Sequence, residues 1–254
     1  MREEATATRF AGLVAPQIVP VPAVVRPGRP APWADLPDAR RRGLDVAIVE
    51  ARLNARGQGI TDPVPPPLLE GPEDLRDSAV LVALFAVAGE ARVVLTRRAR
   101  SLRDHAGEVA LPGGRVEEGE SLVAAARREA AEEVGLDPAL VRPLGWLSPL
   151  VTRVSGSVIW PVVAALPGPP TLVPSPAEVE ATFDVALADL AGEGFYLEEF
   201  WQRDAGAAEF PISFFRGPAD LIWGATARVL VDLVSLAVGV APRDPEPLDD
   251  GPVD

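Results

Sequence analysis

The sequence predicts a domain that mixes helices and strands in separate segments, and three stretches carry this prediction. Residues Ser78 to Val87 form a continuous apolar run, and a Gly89-Glu90 turn leads into a second run at Arg92 to Thr96, which is the pattern of a buried β-hairpin. An alanine-rich helical segment spans about Leu122 to Val134. An apolar stripe at helical spacing ends at about Val238. Segregated elements of this kind favour the α+β class.

Composition narrows the chemistry that is open to the chain. Of its 254 residues 48% are hydrophobic, which is enough for a substantial core. The lack of cysteine excludes disulfides and thiol chemistry, and all 24 basic residues are arginine, which excludes a lysine base or Schiff base. The single histidine, His105, argues against a zinc cluster or a Ser-His-Asp triad. The net charge of −13 argues against nucleic acid or an anionic membrane as a partner.

We expect the chain to have three parts. A proline-rich N-terminal extension occupies residues 1–70, with one helix between Trp33 and about Arg56. The main domain follows at residues 71–240, and a disordered acidic tail ends the chain at residues 241–254. Prolines interrupt the apolar residues 11–25, and acidic residues stand where a secretory signal has positive charge. We therefore expect a cytoplasmic protein.

The remaining elements of the main domain follow from local patterns. Further strands are predicted at Leu144 to Leu150, at Ser157 to Leu166 and from Phe210 onward. The proline-rich stretch from Leu166 to Pro176 is expected to form a surface loop. Asp220 is expected to cap a helix through about Val238, and the charged residues inside that apolar run favour a packed helix over a membrane span.

The alanine-rich helix is the main candidate for a functional element. Ser121 is placed to cap its N-terminus, and Gly135 is placed to end it in the left-handed conformation. At 3.6 residues per turn, Glu129, Glu132 and Glu133 fall within about 100° of one another. Three carboxylates on one face repel each other in water, and a divalent cation bound there reverses this effect. The alternative is an ordinary solvated helix face. Ligands made only of oxygen select hard ions such as Mg²⁺ or Mn²⁺.

This helix and the loop before it resemble the Nudix box. That pattern reads Gly, five residues, Glu, seven residues, Arg-Glu, an aliphatic residue, any residue, Glu-Glu, any residue, Gly and an aliphatic residue. The matching residues are Gly114, Glu120, Arg128, Glu129, Glu132, Glu133 and Gly135. Only Ala130 departs from it, because a larger aliphatic residue is usual there, and the change concerns packing.

The resemblance implies a fold and a set of roles. The fold is the Nudix α/β/α sandwich with a mixed β-sheet, over roughly residues 75–240. Glu129 and Glu133 are implied as ligands of Mg²⁺ or Mn²⁺, with Glu132 a further ligand or the general base. Glu120 and Arg128 are implied to orient the loop, by a charge-assisted hydrogen bond.

A second stretch, from Val94 to Gly114, resembles the motif that marks the coenzyme A pyrophosphatase branch of the Nudix family. The matching residues are Thr96, Arg98, Ala99, Arg103, Gly107, Pro112, Gly113 and Gly114. Val94 replaces a leucine, and Leu111 replaces a phenylalanine whose ring is a potential substrate contact. The stretch Pro176-Ala177-Glu178-Val179 also resembles this branch, which makes Glu178 either an extra metal ligand or base, or an ordinary surface glutamate.

The second resemblance implies a small-molecule nucleotide substrate of the coenzyme A type. Hydrolysis of coenzyme A or acyl-coenzyme A would give 3′,5′-adenosine bisphosphate and 4′-phosphopantetheine or its acylated form. Arg98 and Arg103 are implied to bind phosphate, since guanidinium groups pair with phosphate in a bidentate manner. Gly113 and Gly114 would let the backbone approach the phosphates. Neither nucleic acid nor a membrane is implied as a partner, and a homodimer is compatible with all of this.

Other interpretations of these residues stay open. The same box is compatible with cleavage of NADH, ADP-ribose or a damaged nucleotide, and with a ligand-sensing module that has lost catalysis. The intact acidic residues of the box argue against the last of these. For Arg97 and Arg100 an ordinary solvent-facing position is favoured over phosphate binding. His105 is expected to pack within its loop rather than to transfer protons.

Overall fold

The computed structural model describes residues 17, 19–60, 75–152, 156–202, 207–217 and 220–241. The predictions for residues 1–16 and for the tail at 242–254 lie outside these residues. The helices are α1 (Val46–Ala55), α2 (Leu122–Val134), α3 (Leu187–Leu190) and α4 (Gly224–Val238), with 3₁₀ turns at Asp38–Arg40 and Pro138–Leu140. The strands are β1 (Val24–Pro27), β2 (Arg76–Val87), β3 (Glu90–Arg98), β4 (Val109–Ala110), β5 (Gly113–Arg115), β6 (Arg142–Trp146), β7 (Leu150–Thr152), β8 (Ser157–Ala165), β9 (Val179–Ala186), β10 (Tyr196–Gln202), β11 (Phe210–Arg216) and β12 (Leu221–Trp223).

A mixed β-sheet forms the centre of the molecule. Its strand order is β4-β3-β2-β8-β6, and β5, β7 and β9 pair with β2, β8 and β3 respectively. Strands β2 and β8 run parallel, whereas β2 and β3 form the antiparallel hairpin that the sequence predicts. The mixed sheet of the predicted fold is therefore confirmed.

Helices cover both faces of this sheet because successive side chains of β2 point to opposite sides. Leu81 packs in one apolar cluster with Ala126 and Ala130 of α2. Val82 packs in the other cluster with Leu53 of α1 and with α4. Since α2 lies on one face and α1 and α4 lie on the other, the predicted α/β/α arrangement is confirmed.

Helix α2 forms as its sequence predicts. The Ser121 hydroxyl accepts a hydrogen bond from the Ala124 backbone N–H at 3.2 Å, which satisfies one of the free donors at the helix start. Gly135 ends the helix with φ of 65°, a left-handed conformation that favours glycine. The cap and the stop are both local signals, so they fix the register that places the glutamates.

A second sheet, in the order β1-β10-β11-β12, packs beside the first. Within the predicted N-terminal extension, Val24–Pro27 form a strand that pairs antiparallel with β10. Trp33, which is 1% exposed, stacks near Phe215 with ring centroids 6.3 Å apart. Part of the predicted N-terminal extension thus packs onto the main domain, and the domain boundaries themselves remain a prediction.

The prediction that Asp220 caps the last helix is wrong. Residues Leu221–Trp223 form strand β12, and helix α4 begins only at Gly224. The buried Asp220 carboxylate instead accepts a hydrogen bond from Nε of Arg97 at 3.0 Å. Among the described helices, none is both long enough and apolar enough to cross a membrane.

Candidate active site

Arg128 is the centre of the polar contacts on α2. Its Nε and Nη2 atoms each donate to one carboxylate oxygen of Glu120 at 3.0 Å, which makes a bidentate pairing. Its Nη1 donates to Glu129 at 2.9 Å and to Glu132 at 3.2 Å. Its Nη2 also donates to the Arg115 carbonyl at 2.9 Å. One guanidinium therefore ties the loop before the helix to two of the three box glutamates.

These contacts lower the pKa of the Glu120 carboxyl group in the loop. The hydrogen bonds from Arg128 hold the pKa of Glu120 below its usual range, and a bond from the Glu117 backbone N–H acts in the same direction. Glu120 is therefore ionised at neutral pH. Its task in this arrangement is to hold Arg128 and the loop.

Glu133 is the buried member of the acidic face, with 5% of its surface exposed. Its Oε2 accepts a hydrogen bond from the Gly113 backbone N–H at 3.2 Å. Burial raises the pKa of Glu133 to about 7, and the charges of Glu129 and Glu178 add to that effect. The Gly113 N–H and the charge of Arg98 act in the opposite direction. The site thus holds a carboxylate whose charge lacks full compensation.

Glu129 lies next to Glu133 on the same helix face. Burial raises the pKa of Glu129, and the nearby charges of Glu132 and Glu178 add to it, against the hydrogen bond from Arg128. The carboxylate also lies against Gly114, where a Cβ atom would stand 2.4 Å from Glu129 Oε1. Gly114 is therefore needed here because only a residue without a side chain leaves room for this carboxylate.

Gly114→Ala is expected to displace the Glu129 carboxylate while leaving the fold intact, because the clash falls on the mobile end of a side chain. A displacement of about 1 Å at a reacting centre typically costs up to ~10²-fold in rate. We expect kcat to fall by about 10-fold or more with little change in melting temperature. Gly168→Ala is the matched control, because nothing lies within 4 Å of its added Cβ. Full activity in Gly114→Ala would contradict this role.

The structure brings two residues from outside the helix to the box. The Ala99 N–H bonds the Glu178 carbonyl at 2.8 Å, which joins the loop before β9 to the end of β3. Glu178 is close enough that its charge raises the pKa of both Glu129 and Glu133. The charge of Arg98 lowers the pKa of Glu133. The buried Nε of Arg98 has no hydrogen-bond partner among the described residues.

The other arginines of the second motif are placed differently. Arg103 is exposed, and no hydrogen bond or ion pair joins its side chain to another described residue. Arg100 pairs with Glu180 at 3.3 Å and is exposed, as expected for a solvent-facing position. Arg97 pairs with Asp220 and Glu180, and its side chain is 15% exposed, so the expectation of a solvent-facing position is wrong for Arg97. Sequence reasoning missed the Asp220 partner, because 123 residues separate it from Arg97 and no local pattern links them.

His105 forms a contact within its own loop, although its side chain is 59% exposed and so is not packed there as expected. Its Nδ1 lies 3.0 Å from Glu108 Oε2, and this hydrogen bond raises the pKa of His105. The residue adopts φ of 57°, in the left-handed region that non-glycine residues seldom occupy. The contact with Glu108 stabilises the turn that carries Gly107.

Comparison with known proteins decides the family. The NUDIX domain profile matches residues 75–203, which includes the whole box. The chain belongs to the Nudix hydrolase family. A similar protein is Nudix hydrolase 22, chloroplastic, from Arabidopsis thaliana, with 40% identity over 163 residues that cover 61% of this chain and 53% of the plant protein. An uncharacterized Nudix hydrolase, NudL, from Photorhabdus laumondii is 34% identical over 67% of this chain and 89% of its own length.

This chain spans about half the length of that plant relative. Among solved structures, the Nudix hydrolase RenU from M. smegmatis overlaps with a TM-score of 0.37 and 26% identity. The overlap covers 44% of this chain and 70% of RenU.

Nudix hydrolases generally use divalent metal ions, and the residues of this site suit one. Within the described ranges, no three histidine, aspartate or glutamate side chains are grouped as a ready-made metal site. Arg128 holds Glu129 and Glu132 instead. The donors are nevertheless all carboxylate oxygens. The pKa values of Glu129 and Glu133 are both raised by burial first and then by the charges of neighbouring carboxylates. A hard divalent cation would compensate both the burial of these carboxylates and the repulsion between their charges, so the donor set fits Mg²⁺ or Mn²⁺.

Proposed function

We propose that this Nudix hydrolase cleaves the pyrophosphate bond of coenzyme A or an acyl-coenzyme A. The products are 3′,5′-adenosine bisphosphate and 4′-phosphopantetheine or its acylated form. The observation that supports this most is Arg98, a residue of the second motif, which lies beside Glu133 with a buried Nε that lacks a partner among the described residues. A substrate phosphate between the arginine and the box carboxylates satisfies that donor.

The proposed roles of the acidic residues follow from how exposed each side chain is. Glu129 and Glu133 are the inner carboxylates and would hold Mg²⁺ or Mn²⁺, and Glu178 is a candidate third donor. When bound, the cation supplies Lewis-acid activation of water and of the phosphoryl oxygens. The Glu132 side chain is 60% exposed, so it is accessible to solvent as a further ligand or as the general base. Arg128 and Glu120 keep this group in place.

Arg103→Ala is expected to raise KM for coenzyme A by about 10-fold or more, because a charge-assisted hydrogen bond to phosphate contributes about 1.5–3 kcal/mol. Arg100→Ala is the matched control, because Arg100 is also exposed but pairs with Glu180. Steady-state kinetics on both variants gives the comparison. An unchanged KM in Arg103→Ala would remove Arg103 from the substrate site.

Other nucleoside diphosphate derivatives, such as NADH and ADP-ribose, are the alternative substrates. Leu111 stands where the coenzyme A branch has phenylalanine, but Leu111 is 5% exposed and packs in the core. The replacement therefore changes packing rather than an exposed substrate contact, and it does not disfavour coenzyme A. The cytoplasmic location expected from the sequence stays a prediction, since the similar plant proteins are named as chloroplastic and mitochondrial.

A substrate panel tests the proposal directly. Rates are measured for coenzyme A, NADH and ADP-ribose, each with Mg²⁺, with Mn²⁺ and with a chelator. We expect the highest kcat/KM for coenzyme A and no turnover in the chelator. A higher kcat/KM for NADH or ADP-ribose would retain the Nudix chemistry and overturn the substrate assignment.

A further inference from the structure

The residues between β3 and β4 form a hairpin loop that carries Arg98 and Arg103, the two side chains proposed to bind phosphate. We call residues 98–108 the arginine loop. Two backbone hydrogen bonds close its neck. The Arg98 N–H donates to the Glu108 carbonyl at 2.9 Å, and the Gly107 N–H donates to the Arg98 carbonyl at 3.2 Å. Contacts that fix this neck therefore also fix the place of Arg98.

A buried carboxylate holds the β3 side of the neck. Asp220, which is 1% exposed, accepts a hydrogen bond from Arg97 Nε at 3.0 Å and a second one from Arg97 Nη2. This is the bidentate geometry in which charge-assisted hydrogen bonds are strongest. Arg97 Nη1 also lies 3.4 Å from Glu180. Two carboxylates thus hold the residue that directly precedes Arg98.

A β-bulge gives the two adjacent arginines different surroundings. The pairing of β3 with β9 shifts between Arg97 and Arg98, which leaves Glu180 as the extra residue of β9. Bulges redirect side chains and are common beside active sites. Arg97 contacts Asp220, whereas Arg98 lies where its charge lowers the pKa of Glu133 in the box. The ion pair of Arg97 is therefore coupled to the position of Arg98 through one stretch of backbone.

A side chain from far upstream holds the β4 side of the neck. Gln17, which lies 90 residues before Gly107, donates from Nε2 to the Gly107 carbonyl at 3.2 Å. Its Oε1 accepts a hydrogen bond from the Leu221 backbone N–H at 2.9 Å. Leu221 begins β12 and directly follows Asp220. The start of β12 thus reaches both sides of the neck, one through Asp220 and the other through Gln17.

We propose that Gln17 and Asp220 are positioning residues, which hold the arginine loop so that Arg98 stays beside the box carboxylates. The proposal rests on the proposed function in one respect, that Arg98 binds a phosphate of the substrate. The planar guanidinium pairs with phosphate only in a suitable orientation, so a displaced loop weakens binding. A loop that is fixed before the substrate arrives also avoids the entropy cost of ordering it on binding.

Gln17→Met is the first test, because methionine keeps the length of the side chain and removes both hydrogen bonds. We expect KM of the substrate that the wild type cleaves best to rise about 5-fold, the typical worth of one hydrogen bond. The value of kcat should stay within about twofold, because the carboxylates of α2 are unchanged. Gln202→Met is the matched control, since Gln202 of β10 donates to the Ala207 carbonyl at 2.7 Å instead of to the arginine loop. Its KM should equal that of the wild type.

A double-mutant cycle separates positioning from a general loss of structure. Gln17→Met and Asp220→Asn are each introduced into the wild type and into Arg98→Ala. Asp220→Asn is expected to lower the melting temperature, because the half-buried Arg97 loses its ionised partner. If both residues act through Arg98, each increase in KM falls below about twofold once Arg98 is absent. Increases that remain in full would show that Gln17 and Asp220 act independently of Arg98, and would overturn the proposal.

Hydrogen exchange tests the hold on the loop without any substrate. In Gln17→Met, the amides of residues 98–108 should exchange about 5-fold faster than in the wild type, while those of α2 keep their rates. Unchanged exchange in the arginine loop would overturn the proposal even if coenzyme A is hydrolysed. If the wild type cleaves ADP-ribose and not coenzyme A, the substrate assignment fails alone. The cycle measured on ADP-ribose then decides the positioning role in the same way.

Discussion

Glu133→Gln is expected to lower kcat by about 10² or more, because glutamine keeps the shape of the side chain but removes the charge that a divalent cation needs. The Gly113 N–H bond can be retained by the amide oxygen, so the loop stays in place. The melting temperature of the metal-free protein should stay equal or rise, since a buried charge that lacks full compensation opposes folding. The variant is thus expected to lose activity without losing stability.

The control for this variant is Glu118→Gln, an exposed carboxylate in the loop that precedes α2. Rates with saturating substrate and thermal unfolding without metal are measured on both variants. Glu118→Gln should match the wild type in both measurements. Activity within about twofold of wild type for Glu133→Gln would show that Glu133 is not an essential ligand of the cation that supports hydrolysis.

Arg128→Ala is expected to reduce both activity and stability. Its guanidinium holds Glu120, Glu129 and Glu132 together, and without it three carboxylates crowd one another. Loss of charge-assisted hydrogen bonds of this kind typically costs about 1.5–3 kcal/mol, which lowers the melting temperature of a chain this size by a few degrees. We expect kcat to fall at least ~10-fold, because the orientation of Glu129 depends on Arg128.

Two further variants make the Arg128 result specific. Arg128→Lys should restore charge but only part of the activity, since an ammonium cannot reproduce the bidentate pairing with Glu120. Arg127→Ala removes the neighbouring arginine, which donates to the Val141 carbonyl instead of to the box carboxylates. It should affect stability more than kcat. Full activity in Arg128→Lys would show that charge alone is needed.

Local signals explain why α2 and its site could be predicted. Ser121 and Gly135 set the ends of the helix by their own hydrogen bonding and backbone conformation. Once the ends are set, the spacing of the glutamates fixes their common face. The Glu120 and Arg128 pairing followed from the motif, and the structure places the two groups in a bidentate contact.

Non-local pairing explains what the sequence did not reveal. Strand β1 is four residues long, and Val24 pairs with Gln202 of β10, far away in the sequence, so no periodicity marks it. The ion pair of Arg97 with Asp220 and that of Arg92 with Asp184 likewise join distant segments. Such features depend on how the chain folds back on itself.

The proposed activity is hydrolysis of the pyrophosphate bond of coenzyme A at the site formed by the box carboxylates. The most direct measurement identifies both products after wild type and Glu132→Gln are incubated side by side with coenzyme A and Mg²⁺ or Mn²⁺. We expect equal amounts of 3′,5′-adenosine bisphosphate and 4′-phosphopantetheine from the wild type, and at least ~10²-fold less from the variant. Removal of the 3′-phosphate alone, or equal product from the variant, would contradict it.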